Sequence, residues 1–590
     1  MNQKLLTRVL SVVLFLVVSF SVFTACNPDT DKRGNTVTVR LTGEPERLNP
    51  LTTEDVNSTQ VMGLIFLSLL DFDPQTLELV PVLAKSRPSV SAIDTGANKG
   101  CTSYTYEIRD EALWDNGKPI TAADYIFTVK AILNKKSGAN NLRSGLDFIN
   151  DIIVDSQNSK KFTIISNKRY ILSETASGTL PILPEYIYDT EGGLKSYSVG
   201  SLAAALRDTT QKGDEGLTKF ATAFQSPKFV REKDGVVGSG AYRLDNWVAG
   251  QSITVKKKDN WWGDKLATAN PILAANPDQI VFKPVKDNAA AVSMMQNGEL
   301  DAVTTIPPKD FNTLKKDEKM AVLYQFEAVP AMSLVHAGFN CKSPKLNDKR
   351  VRRAVAHLFD VPTIIKVLAG GFGESCASGF LPQRAYYNKD LQPIALNVEK
   401  AQSLLAEAGW KDTNGDSTVD KTIGGKRVEM NIKYIFAASN EAAKNMGLMI
   451  QENGKKIGIQ FTLEPQDGKV MLENMKKRDF DMFVNASGFA PSMDDPKEMW
   501  ATASNTPDGA NRFQLENKQA DALIEQIRSE LTDEKRNELY KQFQVLLYDE
   551  QPAVFLFARQ ERIALNKRFD AAIVARRPGF VPNAFKLKAN

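Results

Sequence analysis

The sequence predicts an α/β protein built as two lobes, and three observations carry that prediction. The first is length: 590 residues exceed the size at which a single hydrophobic core stops growing, so two or more structural units are expected. The second is the central stretch Ser333–Asp360, SLVHAGFNCKSPKLNDKRVRRAVAHLFD. Val335, Ala337, Phe339 and Cys341 alternate with Leu334, His336 and Asn340, the period of a strand with one apolar face. Lys342–Asn347 is a turn, Asp348 stands where a helix cap belongs, and Val351, Ala354, Val355, Leu358 and Phe359 form one helical stripe. A long αβ run lies on either side, so this stretch reads as the start of a second lobe. The third is Val428–Leu463. Val428, Met430, Ile432 and Tyr434 alternate as a strand. Met446, Met449 and Ile450 follow as a helical stripe, and Ile457, Ile459, Phe461 and Leu463 as another strand. That is a βαβ unit, for which parallel pairing is favoured.

Taken in order, the chain opens with Lys4 and Arg8 before the apolar run Val9–Phe23 and the small residues Thr24-Ala25, then Cys26. A basic segment, a short apolar run and a small residue before the cut are the marks of an export signal, and the run is too short and serine-dotted for a spanning helix. Phe23-Thr24-Ala25-Cys26 resembles the lipobox of bacterial lipoproteins, with Phe23 where Leu is usual. The resemblance implies a signal peptide over 1–25, lipidation of Cys26 and a polar tether over 26–35. Thr36–Leu41 then alternates as a first strand and runs into Gly43-Glu44-Pro45-Glu46-Arg47-Leu48-Asn49-Pro50, an extended loop forced by its prolines and glycine. Val61–Leu70 is an apolar, helix-like run. Tyr104–Arg109 is a strand, Asn116-Gly117 a hairpin turn, and Thr121 caps a helix over Ala122–Leu133. Asp287 caps the helix carrying Ala291, Val292 and Met295; Asn397 caps the stripe Ala401, Leu404, Leu405 and Ala408, stopped by Gly409. Near the end come two helical stripes, Ala520–Ile527 and Leu539–Leu547, and a strand Ala553–Phe557. Lys349, Arg350, Arg352 and Arg353 crowd a helix N-terminus, where the macrodipole disfavours cations, so they are expected to pair with carboxylates or an anion nearby.

Composition narrows the function. A hydrophobic fraction of 42% and a charged fraction of 24% are those of a globular protein. The net charge of +4 falls to about +2 without the two leader cations, and no dense basic run occurs, so nucleic acid is not an expected partner. His336 and His357, the two histidines of the chain, lack the spacing of a metal pair. Asp412–Asp420 places oxygen ligands at alternate positions, but Ser417 stands where a calcium loop needs Gly and Ile423 where it needs Glu, so a polar hairpin turn is the better reading. Gly238-Ser239-Gly240 is no nucleophile elbow, Gly370-Gly371-Phe372-Gly373 no P-loop, and no acid/base constellation stands out. No catalytic residue, metal or cofactor is assigned. With Cys26 committed to lipid, Cys101, Cys341 and Cys376 allow at most one internal disulfide, and Cys341 with Cys376 is the expected pair.

EPERLNP, LELVPVLAKS and YEIRDEALWDNGKPITAADYIF, in this order and spacing, resemble the family 5 extracellular solute-binding proteins, the oligopeptide-, dipeptide- and nickel-binding receptors of bacterial ABC importers. Further matches are Ile182–Tyr188, which lacks the family's Lys-His after its proline, Val237–Tyr242 with Trp247–Trp262, GFNCKSPKLNDKRVRRAV, Lys400–Asp420 and Asp521–Pro552. The resemblance covers nearly the whole chain after the leader. It implies a two-lobe periplasmic-binding-protein-like (type II) fold with an enlarged first lobe and a two-crossing hinge. Lobe I would comprise 36–331 plus 555–590, with an inserted subdomain at roughly 60–190, and lobe II would comprise 332–554. It further implies a monomeric, non-enzymatic receptor in the periplasm or cell envelope, held to the membrane by lipid alone. Such a receptor hands a peptide or peptide-like solute to permease and ATPase subunits. The ligand set it implies is Thr42, Gly43, Glu44, Asn340, Asn485, Phe489, Ser492 and Asp494. In peptide-binding members the region of Asp481–Trp500 carries a Gly-Trp pair and, four positions after the glycine, an aspartate that holds the peptide's amine. Counting from Gly488, the aromatic here is Phe489 and the fourth position is Ser492. Either this protein does not select free N-terminal amines, or Asp494 serves instead; Asp495-Pro496 matches a separate, structural Asp-Pro. The alternatives are a lipid-anchored sensor or hydrolase on the same fold, and a receptor for a non-peptide solute such as a sugar or metal chelate.

Overall fold

The computed structural model describes residues 33–589 except 54, 169, 208–213, 269, 492 and 508; Cys26 and Ser492 lie outside the described residues. An eleven-stranded mixed sheet runs through the protein. Its strands are β1 (Thr36–Leu41), β2 (Tyr242–Val248), β3 (Ser252–Lys257), β4 (Gln279–Pro284), β5 (Ala302–Val303), β6 (Tyr324–Phe339), β7 (Gly373–Ser375), β8 (Asn431–Ala437), β9 (Gln460–Gln466), β10 (Met482–Gly488) and β11 (Ala553–Asn566). They lie in the order β9-β8-β10-β6-β11-β5-β1-β4-β3-β2, with β7 against β11. β8 pairs in parallel with β9, Ile432 opposite Phe461, and the helix Glu441–Lys455 connects them, as the βαβ pattern predicts. A separate antiparallel sheet of four strands, among them Thr102–Glu107 and Lys161–Ser166, belongs to the first part of the chain.

Local chemistry sets many of the boundaries. Thr121 and Asp124 form a capping box on Ala122–Leu133, and the side chains of Asp287 and Asn397 accept helix N–H groups as expected. One expectation shifts: the helix placed over Val61–Leu70 is Val56–Ile65. Asp55 caps it through the Ser58 N–H, and Phe66 turns extended toward a strand at Leu70–Phe72. The strand read from Ser333 also begins earlier, at Tyr324. Its first half is held by β11, where Gln325 sits opposite Leu565 and Pro330 opposite Gln560. Pro330 stands where the register shifts, a position that tolerates the missing N–H.

The core divides into clusters, and β6 and β11 are shared among them. One cluster gathers residues from Val37 to Phe282 and takes Ile563 and Leu565 from β11. Two others lie between Leu334 and Ala558; Ala337, Phe339, Val554 and Leu556 belong to one, Leu334 and Phe555 to the other. A small fourth holds Tyr324 and Phe326 of β6 with Ala564 of β11. Between these buried ends, Glu327–Ser333 of β6 and Arg559–Glu561 of β11 are exposed or half-buried, forming a more open waist.

The crowded cations of the helix Lys349–Ala356 find the partners the sequence asked for. Lys349 Nζ lies 2.6 Å from Asp549 Oδ2 and Arg350 2.7 Å from Asp348 Oδ2. Buried Arg352 donates to the carbonyls of Glu550 (3.0 Å), Gln551 (3.1 Å) and Leu346 (2.9 Å), and Arg353 to that of Tyr548 (2.8 Å). The carbonyls of Tyr548, Glu550 and Gln551 close the helix Asp533–Glu550, whose C-terminal end carries unpaired acceptors and a negative dipole. Three of the cations answer the end of a neighbouring helix, and Arg350 pairs with the cap residue Asp348.

Candidate functional site

β10 runs antiparallel to β6, with His336 opposite Asn485 and Ser333 opposite Gly488. It delivers the chain to the waist, where the Phe489 N–H donates to Met332 O at 2.9 Å. The loop that follows is held from one side by Arg384. Its guanidinium donates to the carbonyls of Ala490 (2.6 Å) and Pro491 (2.8 Å), and to both Asp494 oxygens at 2.9 and 3.2 Å. Asp494 Oδ2 also accepts from Tyr386 Oη at 2.6 Å, and the Tyr540 hydroxyl donates to the Asp494 carbonyl. The rings of Tyr386 and Tyr540 stack with centroids 4.0 Å apart. Both members of the Arg384–Asp494 pair are 9% exposed. Burial raises the Asp494 carboxyl above its ordinary pKa, and Arg384 opposes the rise. A carboxylate gripped by an arginine and a tyrosine of its own surroundings offers little to a ligand's ammonium. Of the two alternatives left open by the sequence, substitution by Asp494 is the one this geometry disfavours.

The remaining candidates fall into separate groups. Thr42 donates through its N–H (3.1 Å) and hydroxyl (3.2 Å) to Asn57 Oδ1, and Gly43 is buried beside Asn57. Glu44 accepts from Trp247 Nε1 at 2.6 Å and from the Gly250 N–H at 3.0 Å. Both its oxygens therefore pin the β1 loop to the β2–β3 hairpin. Asn485 is exposed and accepts from the Ala486 N–H at 2.8 Å, and Phe489 is half-buried against a core cluster. Asn340 stands apart from the other candidates. It is 7% exposed, its amide donates to Phe480 O at 3.1 Å, and its Oδ1 takes the Lys342 N–H at 3.1 Å. It closes the turn after β6 at the far end of β10 from Phe489. Eight residues of strand separate those ends, roughly 25 Å, so the two side chains do not share one small site.

The expected disulfide is corrected: Cys341 and Cys376 are free thiols. The Cys341 N–H bonds to Phe513 O, two residues past the Phe339–Pro552 contact, whereas Cys376 bonds to Leu556 O. Four residues along β11 amount to about 13 Å, and a disulfide needs Cα atoms within about 7 Å. In Asp412–Asp420 the carboxylates face inward. Asp412 accepts the N–H groups of Gly415 (2.7 Å) and Ser417 (2.9 Å), and Asp420 takes the Thr413 hydroxyl at 2.7 Å, the bonding of a turn. Among the described residues no group of three or more His, Cys, Asp or Glu is placed to hold a metal ion. A cavity of about 240 Å³ lies beside the helix Ala122–Leu133, lined by Phe127, Lys130, Val154 and Glu185 among others. None of the candidate ligand residues lines it, and it is smaller than the ~300–1,000 Å³ usual for ligand sites. Sequence reasoning missed Arg384, Tyr386 and Tyr540 as supports of the waist loop, because nothing within a few residues of Arg384 names a partner 110 positions away.

Two sets of cores joined through a mixed sheet, with a buttressed loop at the waist, define a receptor-type α/β protein. The chain belongs to the bacterial extracellular solute-binding proteins, family 5, whose model, "Bacterial extracellular solute-binding proteins, family 5 Middle", matches residues 78–510. It is 24% identical over 584 residues to the oligopeptide-binding protein AppA of Bacillus subtilis, with 96% of each chain covered. The solved structure of that protein in complex with a nonapeptide superposes with a TM-score of 0.67 at 23% identity, covering 94% of this chain and 99% of that one. The structure of NikA from Brucella suis in complex with Fe(III)-EDTA superposes with a TM-score of 0.71 at 18% identity, covering 94% and 100%. The protein is therefore a solute-binding receptor with the two-lobe fold of the periplasmic solute-binding proteins. Among the described residues no helix is long and apolar enough to cross a membrane.

Proposed function

We propose that this receptor captures a peptide or peptide-like solute between its lobes and delivers it to the permease and ATPase subunits of an ABC importer, itself performing no chemistry. Lobe I would comprise 36–331 plus 555–590, with an insertion at roughly 60–190, and lobe II 332–554. The observation that carries the reading is the waist. β6 and β11 each contribute side chains to cores on both sides of a less buried segment, as two strands acting as a hinge would. The full-length likeness to an oligopeptide-binding protein supports the peptide class. Arg384 already engages Asp494, which supports a reading in which that carboxylate does not anchor the solute's N-terminal ammonium. Mixed tri- to nonapeptides and their N-acetylated forms, offered to the purified protein under native mass spectrometry, test this. The expected result is a peptide-bound mass, with acetylation changing affinity by less than about tenfold. Loss of binding on acetylation removes the neutral-terminus reading. The Fe(III)-EDTA held by a structural neighbour favours a second reading, a metal chelate, which the same assay answers if the chelate alone binds.

The leader supports a further part of the proposal: cleavage before Cys26 and lipidation of that residue in a bacterial envelope, with a multiply acylated cysteine holding firmly where one chain would not. Cys26→Ala expressed in a bacterial host is expected to leave the membrane fraction for the soluble one; retention in the pellet defeats the anchor.

A further inference from the structure

We infer that Tyr170, Asp495 and Arg528 form a clasp that holds the two lobes closed, built on the same loop that carries Phe489. The inference rests on the two-lobe receptor reading and is independent of the class of solute.

Tyr170 belongs to the first set of elements. Its ring packs at 6.4 Å from Phe148 and against the cluster of Val37–Phe282 residues. Asp495 and Arg528 belong to the second set: Asp495 follows the loop after β10, and Arg528 lies on the helix Lys518–Ser529, whose buried face fills another cluster. Neither β6 nor β11 supplies any of the three, so the contact is separate from the two covalent crossings.

Four kinds of contact converge on two adjacent residues. The Tyr170 hydroxyl donates to Asp495 Oδ2 at 3.0 Å, and Arg528 Nε donates to the same oxygen at 2.9 Å. The Arg528 guanidinium lies over the Tyr170 ring, 5.0 Å from its centroid, and Lys168 Nζ lies 5.5 Å from it. The Ile171 N–H donates to Arg528 O at 3.0 Å, and the Ile171 side chain packs against the second-lobe cluster. Arg528 and Asp495 are 15% and 11% exposed, so the carboxylate works with little solvent screening, and hydrogen bonds to an ionised group are the strong ones. Any rotation about the waist strands that parts the lobes must break the Tyr170–Asp495 bond, the Arg528–Tyr170 ring contact, the Ile171–Arg528 bond and the packing of Ile171.

Asp494 and Asp495 are neighbours with opposite assignments. Arg384 ties Asp494 to the second lobe; Asp495 reaches the first. A solute that presses on Phe489 or displaces the loop thereby changes the acceptor on which the clasp depends, which gives bound solute a direct means of biasing closure.

The test is a distance measurement on the full-length, solute-free protein. Donor and acceptor dyes are placed by non-canonical residues at exposed Val90 and Val470, one on each lobe. Single-molecule transfer is expected to show a short-distance population in the parent. Tyr170→Phe, which removes only the hydroxyl, is expected to shift the short-to-long ratio about tenfold toward long. Asp495→Asn is expected to shift it at least as far, and the double variant no further than Asp495→Asn, because one bond has been removed twice. If Asp495→Asn fails to fold, Tyr170→Phe alone decides. A ratio within twofold of the parent in Tyr170→Phe overturns the clasp, as does a parent that shows only the long distance. A wrong solute class, by contrast, would leave these ratios untouched and show itself only in the mass-spectrometric assay.

Discussion

Leu334–Phe339 and Glu327–Ser333 are consecutive segments of β6 under different constraints. The first is central: β10 pairs with it on one edge and β11 on the other, from Leu334 opposite Ala558 to Gly338 opposite Ala553. His336 there packs against the rings of Phe483 and Phe513, at 5.8 and 5.5 Å. Glu327–Pro330 pairs with β11, and the ladder to β10 begins only at Ser333. The register breaks between Pro330 and Leu334, and the side chains are half-buried or exposed. Of these two segments, the one with two neighbours serves as core and the one with a single neighbour as a connection between buried ends. A side chain in the first segment is committed to stability; one in the second is available to a solute and to motion.

The comparison would break first at Asp494. It stands at the waist, yet its removal leaves Arg384 buried without its counter-charge, so Asp494→Ala is expected to cost about 3–5 kcal/mol in urea unfolding. A loss under about 1 kcal/mol would mean that the waist loop is not held by that pair.

His336 sharpens the core side through pH. Burial lowers its pKa from 6.5 to about 4, so between those values the unfolded chain binds a proton that the native protein refuses. Stability is therefore full above pH 6.5 and falls as pH drops toward 4, by up to about 3 kcal/mol for a shift of this size. The difference in unfolding free energy between the parent and His336→Gln, measured at pH 7 and at pH 4.5, isolates this residue from the carboxylates that titrate in the same range. A difference independent of pH would show that His336 keeps its ordinary affinity for the proton.

Gly338→Ala is the next smaller effect. Its Cβ would come within 2.4 Å of the Phe483 ring and 2.7 Å of Phe513, an overpacking expected to cost about 1–3 kcal/mol by the same unfolding assay. At the other end of the scale, Glu327→Ala changes an exposed residue of the waist segment and is expected to stay within about 0.5 kcal/mol of the parent. A cost comparable to that of Gly338→Ala would erase the distinction between the two segments.

What the sequence by itself determined lies within short chain separations. The caps at Thr121, Asp287 and Asn397, the parallel pairing around Glu441–Lys455 and the turn at Asp412–Asp420 follow from side chains meeting backbone a few residues away, or from the period of an apolar face. Family membership was legible for a related reason, since its motifs are local strings in a fixed order. The tertiary structure decided the rest. It made β6 about twice the expected strand by laying β11 beside Tyr324–Met332, whose short alternation over Tyr324–Glu327 gives way to Ala-Val-Pro-Ala-Met. It turned Asn340 into a turn-closing amide and kept Cys341 and Cys376 apart. It gave Asp494 to Arg384, 110 residues distant, and Asp495 to Tyr170, 325 residues distant. A carboxylate's partner is whichever donor the packing brings within about 3 Å, and no pattern in the neighbouring residues records which one that will be.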